Sequence, residues 1–228
     1  RLRPLTFRKP KALIPLAGRP VIEYVIALLK HHHITDLVIN LYHLPQQIER
    51  HLADGSAFGV KITYSFEEEL YGTAGALLEA KKYLGDKTIL VINSDILTEI
   101  DLSQTVKFHR QKKALATLVL SQNQDPSNYG VIGVDVVGRI RTFLDDKSES
   151  PAFLTKAFYT GISVLEPPVF DYISSRFSGL GDEVFPKMLK ANEPVYGYLA
   201  AGYWLDLGTP ERLAQAEKDV QEGKVKIF

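Results

Sequence analysis

Lys11, Asp95 and Asp206 are the residues whose types and settings suit phosphate and metal chemistry. Lys11 follows Pro10 in a cation- and proline-rich opening, RLRPLTFRKPKALIPLAGRPVIEY. Proline fixes the backbone just before the lysine, so its ammonium is held in a defined direction and suits an anion; a solvated basic loop is the plainer alternative. Asp95 ends Asn93-Ser94-Asp95, directly after the apolar run TILVI at 88–92. Ligands of open α/β sheets collect beyond the carboxyl ends of strands, where Mg2+ takes one or two carboxylates plus phosphate oxygens. A turn or N-cap aspartate fits the same sequence. Asp206 repeats the setting in GYWLDLGTP at 202–210, after an apolar run and ahead of a helix. Two aspartates at two strand ends make one phosphate-bridging metal site conceivable.

Gly72-Thr73-Ala74-Gly75 follows the acidic run 67–69 and opens a helix. Small residues there let a flat base or a phosphate approach the backbone, although a plain helix start needs nothing more. His31, His32 and His33 are consecutive and point about 100° apart on a helix, so they cannot share one metal. Placement near a helix C-terminus explains them better. His43, His51 and His109 are scattered, and no histidine is assigned a metal or a general-base role.

These residues need elements to carry them. Helices are expected at 21–32, 44–53 and 73–84, and strands at 36–41, 60–65 and 88–92, the last apolar enough for burial on both faces. The alternation through about the first 120 residues predicts right-handed βαβ units and a parallel sheet. Asp101 with Gln104 forms a capping box for the next helix. Strands at 115–121, 129–135, 139–144 and 157–165 follow, then helices at 168–174 and 182–191, strands at 195–199 and 203–205, and a helix from Pro210 capped by Thr209. The expected fold is a single α/β domain over 1–228, a Rossmann-like three-layer α/β/α arrangement with a mixed, mainly parallel central sheet.

Composition removes several classes of function. The 228 residues balance 27 lysines and arginines against 27 aspartates and glutamates, without the basic excess that duplex binding needs. Zero cysteines exclude disulfides, thiolate zinc and a cysteine nucleophile, and fit a reducing compartment. No apolar run approaches the roughly 18 residues of a membrane span. The basic start precedes an apolar stretch, 12–17, that is too short for a signal peptide and contains Pro15, so a cytoplasmic protein is expected. The oligomeric state, a homo-oligomer included, has no signature here.

Taken in order, RLRPLT, PKAL, AGRPVIEYVI, GTAGALLEA, VINSDIL, NYGVIGVD, YTGISVLEPPVF and YWLDLGTPERL resemble the sugar-1-phosphate nucleotidyltransferases, or nucleotide-sugar pyrophosphorylases, across nearly the whole chain. The stretch EEELYGTAGAL with VINSDIL looks most like mannose-1-phosphate guanylyltransferases. The length and AGRPVIEY also look like N-acetylmuramate-1-phosphate uridylyltransferases. The resemblance implies that Arg1 grips the triphosphate, Lys11 neutralises phosphate charge, Gly72 lies under the base with Thr73 beside it, and Asp95 and Asp206 hold Mg2+. It implies that Gly130, Thr160 and Gly161 line the sugar pocket. The family's Glu-Lys-Pro element falls on Asp146-Lys147-Ser148, so Asp146 and Lys147 are its sugar-phosphate candidates. The implied partners are an NTP and a sugar 1-phosphate: GTP with mannose 1-phosphate first, UTP with an amino sugar or glucose 1-phosphate next. A non-catalytic regulatory homologue that binds nucleotide sugars is the alternative. The family starts with a strand and glycine-rich loop ahead of the position of Arg1, so the sequence is expected to be an incomplete record. The hexapeptide β-helix of many relatives is not expected.

Overall fold

The computed structural model describes residues 2, 5–124, 128–143 and 154–228. Its strands and helices are, in order, β1 (Pro15–Leu16), β2 (Arg19–Pro20), α1 (Val21–His31), β3 (Asp36–Leu41), α2 (Pro45–Leu52), β4 (Lys61–Phe66), α3 (Gly72–Leu84), β5 (Ile89–Ile92) and β6 (Ile96–Thr98). There follow α4 (Leu102–Lys112), β7 (Ala116–Ser121), β8 (Ile132–Val134), β9 (Ile140–Phe143), β10 (Thr155–Leu165), α5 (Phe185–Lys190), β11 (Val195–Leu199), β12 (Trp204–Asp206) and α6 (Pro210–Gln221). They form two compact units: Arg1–Leu70 with Asn93–Ile100 and Gly202–Phe228, and Tyr71–Ile92 with Asp101–Ala201.

In the first unit, β3, α2 and β4 make the expected βαβ unit, with Asp36 through Leu41 paired in parallel to Lys61 through Phe66. Pro45 opens α2, where a missing N–H costs nothing. Helix α1 is apolar on most faces and buries Val21, Ile22, Tyr24, Val25, Ile26, Leu28 and Leu29. Val21 and Tyr24 share a core with Leu16, Leu97, Leu205, Leu207, Ala216 and Val225, so α1, β6, β12 and α6 close on one another. Thr209 caps α6 as expected, accepting the Arg212 N–H at 3.3 Å.

The second unit is built around β10, which pairs antiparallel with β5, β7 and β8. β9 extends the sheet beyond β8, and β11 lies parallel to β7. The α/β class with a mixed sheet is as expected, but the ladders lean further towards antiparallel than the mainly parallel sheet inferred from βαβ alternation. The reason is the long β10, whose 11 residues reach three neighbours running the other way. The run at 88–92 is less buried than expected: of β5 only Ile89 is fully buried, and β5 pairs with β10 alone among the described residues. The helix expected at 168–174 is a 3₁₀ helix, Pro167–Tyr172, opened by two adjacent prolines. The helix expected at 182–191 is a π turn, Leu180–Val184, running into α5. Asp101 caps α4 as read, accepting the Gln104 N–H at 2.9 Å.

One buried carboxylate ties the end of the first unit together. Asp219 of α6 is 6% exposed and accepts hydrogen bonds from Tyr203 Oη at 2.9 Å, Gln215 Nε2 at 2.9 Å and Lys224 Nζ at 3.4 Å. Burial alone would raise its pKa, but those donors and the Lys224 charge hold it below the ordinary carboxylate value. Such a group stabilises the fold above its unfolded pKa, and the stabilisation is lost as pH falls through the folded pKa. Asp219→Asn should cost about 1–3 kcal/mol at neutral pH. The urea-midpoint gap between wild type and variant should close on acidification below the usual carboxylate range; a gap independent of pH would show that the charge contributes nothing.

Candidate functional site

The first unit gathers Lys11, Asp95 and Asp206. Pro10, at φ −58° and ψ 145°, turns the chain into a short 3₁₀ turn in which Ala12 and Leu13 point into the core and Lys11 is left facing outwards. Asp95 sits in the turn between β5 and β6, and its ammonium partner is Lys11, whose Nζ donates to Asp95 Oδ2. The antiparallel register of β6 and β12 sets Asp206 opposite Ile96, the residue after Asp95. The pairing continues one step further, since the Leu207 N–H donates to the Asp95 carbonyl at 2.9 Å. Asp206 Oδ1 accepts the Gly208 N–H at 3.0 Å, and Oδ2 accepts from Arg212.

Gly208 explains why a glycine follows Asp206 at this spacing. A Cβ there would lie 2.6 Å from Asp206 Oδ1 and 3.8 Å from Lys11 Nζ, so both groups border one small space that only a glycine leaves open. Among the described residues no group of three or more His, Asp or Glu side chains could hold a metal ion by itself. The pair of aspartates is nevertheless a hard-oxygen donor set of the kind that completes a Mg2+ shell with phosphate oxygens. Each carboxylate already holds a cation, Lys11 on Asp95 and Arg212 on Asp206. The donor types suit a divalent ion, which would have to take each carboxylate from its present cation.

The other site candidates lie in the second unit or outside the described residues. Arg1, Asp146 and Lys147 fall among the latter. Gly72 and Thr73 do open α3, with Gly72 at φ +82°. What comes close to these small residues is the protein's own chain: a Cβ on Gly72 would meet Ser178 O at 2.7 Å, and one on Gly75 would meet Arg176 O at 1.7 Å. Ser178 O accepts the N–H groups of Ala74 and Gly75, and Thr73 Oγ1 accepts the Leu180 N–H at 2.8 Å. Chain packing accounts for these glycines without a ligand. Gly161, at φ +81°, lies where the β10–β7 register shifts between Tyr159 and Ser163, and it gives the bulge the left-handed residue it needs. Thr160 is buried and donates from Oγ1 to the Val119 carbonyl at 2.8 Å, so its hydroxyl is committed to the sheet. Gly130 has φ +89°, and its neighbour Tyr129 stacks on Phe158 of β10 at 4.7 Å.

Two of the histidines, His31 and His109, are held by packing or hydrogen bonds. His31 ends α1 and stacks on Phe228 at 4.2 Å. His109 is buried between Thr117 Oγ1 at 2.8 Å and Glu166 Oε1 at 3.0 Å; burial lowers its pKa, and Glu166 opposes that shift.

Sequence reasoning passed over Gly208 and Arg212. Their signal was present, a glycine two residues and an arginine six residues after Asp206, on either side of a helix start. It also missed Asn40 near the carboxyl end of β3, whose Nδ2 donates to Glu67 while its Oδ1 is buried without a hydrogen-bond partner among the described residues.

Comparison with known proteins places the chain. The nucleotidyl transferase family model matches residues 1–223, and the chain belongs to that family. Among curated relatives, a UTP–glucose-1-phosphate uridylyltransferase of Synechocystis is 35% identical over 99% of this chain and 62% of its own length. A mannose-1-phosphate guanylyltransferase of Mycobacterium tuberculosis is 35% identical over 98% of this chain and 62% of its own length. The chain thus spans about three fifths of the length of these relatives. A Bacillus anthracis structure, provisionally named a glucose-1-phosphate thymidylyltransferase and solved with sucrose, superposes with a TM-score of 0.79 at 27% identity, covering 95% of this chain and 89% of that one. HddC from Yersinia pseudotuberculosis, at 18% identity and a TM-score of 0.81 over 96% of this chain and 94% of its own, shares the fold. No helix among the described residues is long and apolar enough to cross a membrane.

The contacts at α3 set up a comparison of two glycines. Gly75→Ala forces a methyl group into a backbone carbonyl and should destabilise the protein by about 2 kcal/mol or more. Gly181→Ala meets open space and should stay within about 0.5 kcal/mol of wild type. Urea unfolding checks both, and equal midpoints for the two variants would refute the close approach.

Proposed function

We propose that this protein transfers a nucleotidyl group from an NTP to a sugar 1-phosphate, giving an NDP-sugar and pyrophosphate. The observation that supports this reading most strongly is the convergence of Lys11, Asp95 and Asp206 on one space kept open by Gly208. An oxygen of the sugar phosphate attacks the α-phosphorus, the bond from that phosphorus to the oxygen bridging to the β-phosphate breaks, and pyrophosphate leaves with the electron pair. The nucleophile is already an anion, so the reaction asks for positioning and charge neutralisation more than for a general base. That suits a site built on a lysine and two aspartates.

Asp95 and Asp206 would hold Mg2+, which when bound supplies charge neutralisation between the phosphate oxygens it contacts. Lys11, paired with Asp95 in this structure, would be the cation that meets phosphate. By resemblance, Arg1 belongs to the triphosphate, Gly72 and Thr73 to the base, and Gly130, Asp146, Lys147, Thr160 and Gly161 to the sugar phosphate. The Gly72, Thr73 and Thr160 groups already have partners in the chain, so their part in recognition rests on backbone shape more than on free side-chain donors. GTP with mannose 1-phosphate is the first choice of substrates, supported by the guanylyltransferases among the relatives; UTP with glucose or an amino sugar is the second.

The test is pyrophosphate release by the full chain over a matrix of NTPs and sugar 1-phosphates with Mg2+. One productive pair is expected. Asp95→Asn should lower kcat at least about 100-fold with the melting temperature retained. Gly208→Ala should lower it about tenfold or more, because the new methyl group displaces Asp206 Oδ1. Silence across the matrix, with nucleotide sugar still raising the melting temperature, would favour the regulatory alternative. Full activity in Asp95→Asn would remove that residue from the site.

A further inference from the structure

Arg212 is the one charged group of this site to which neither the sequence motifs nor the proposed chemistry gives a task. It stands in the first turn of α6, its backbone N–H fixed by the Thr209 cap, and its side chain reaches back to Asp206 Oδ2. The other oxygen of that carboxylate is held by the Gly208 N–H at 3.0 Å. Each oxygen of Asp206 thus already accepts one hydrogen bond, one from a backbone N–H and one from a cation. A divalent ion reaching it meets a guanidinium already in place.

We infer that Arg212 competes with the divalent cation for Asp206, acting as a positioning residue that covers the carboxylate in the ligand-free protein and lowers its metal affinity. The inference rests on the metal reading of Asp95 and Asp206 given above. Charge supports it: with Lys11 on Asp95 and Arg212 on Asp206, these two anions are balanced by two cations, which weakens the pull on a free cation. Exposure supports it as well. The Arg212 side chain is 30% exposed and that of Asp206 21%, so the guanidinium can swing away into solvent without leaving a buried charge behind. A purely structural ion pair makes the opposite prediction, because losing it would disorder Asp206 and weaken metal binding.

Mn2+ binding to the full chain, measured by calorimetry without nucleotide, separates these cases. Arg212→Gln should bind Mn2+ about three- to tenfold more tightly than wild type, the range expected when a partly exposed, charge-assisted competitor is removed. Arg212→Met should behave alike, which covers the case in which glutamine disturbs the fold, and Arg212→Lys should stay near wild type. Affinity unchanged or weakened in both uncharged variants, with circular dichroism and melting intact, overturns the inference. Asp206→Asn keeps the two failures apart. If it binds Mn2+ as wild type does, the metal reading fails and the competition with it; if it loses Mn2+ while Arg212→Gln shows no gain, only the role of Arg212 falls.

Discussion

Three backbone pairings between β6 and β12 decide where the charged groups of the first unit can stand. Trp204, Leu205 and Asp206 run antiparallel to Thr98, Leu97 and Ile96, and the Leu207 N–H carries the ladder on to Asp95. The register is not held by the charges it positions. Leu97 and Leu205 are buried in the same core as α1 and α6, and a slip of one residue would turn that apolar face towards water. Hydrophobic burial thus sets the spacing of two carboxylates more than a hundred positions apart in sequence.

The carboxylates of the first unit divide by environment. Asp219 is almost fully buried and takes three side-chain donors, an arrangement expensive to break and suited to fixing α6 against Tyr203. Asp95 and Asp206 keep 32% and 21% of their side chains exposed, and each is paired with one cationic side chain among the described residues. Solvent screens such pairs to a modest net value, on the order of 1 kcal/mol or less for exposed cases. The chain therefore spends its strong polar contacts on holding its shape and leaves weak, exchangeable ones where ligands are expected.

How far the site was legible follows from what each residue needs. Lys11, Asp95 and Asp206 could be picked out because Pro10, the apolar run before Asp95 and the Thr209-Pro210 helix start are local signals. Their meeting could not, since it depends on β6, whose three residues are too short to show a period. The antiparallel bias around the long β10 was hidden for a different reason: alternating helices and strands announce βαβ units, while partner choice is settled by non-local packing. The glycines of 72–75 show the reverse limit. Their smallness was plain, but what fills the space, the chain at 176–178, is a tertiary fact.

The division into units has a consequence for how the molecule is made. The first unit draws on Arg1–Leu70, Asn93–Ile100 and Gly202–Phe228, so β12 and α6 close it from the far end of this sequence. On the ribosome, β6 would emerge without its partner strand and wait for about a hundred further residues before it could be paired. The second unit, finished by Ala201, can collapse during that interval. Closing so long a loop is slow more than it is costly in free energy, because loop entropy grows only logarithmically with length. Until that closure, Lys11 and Asp95 are carried by a half-built core, and Asp206 arrives on the strand that completes the first unit.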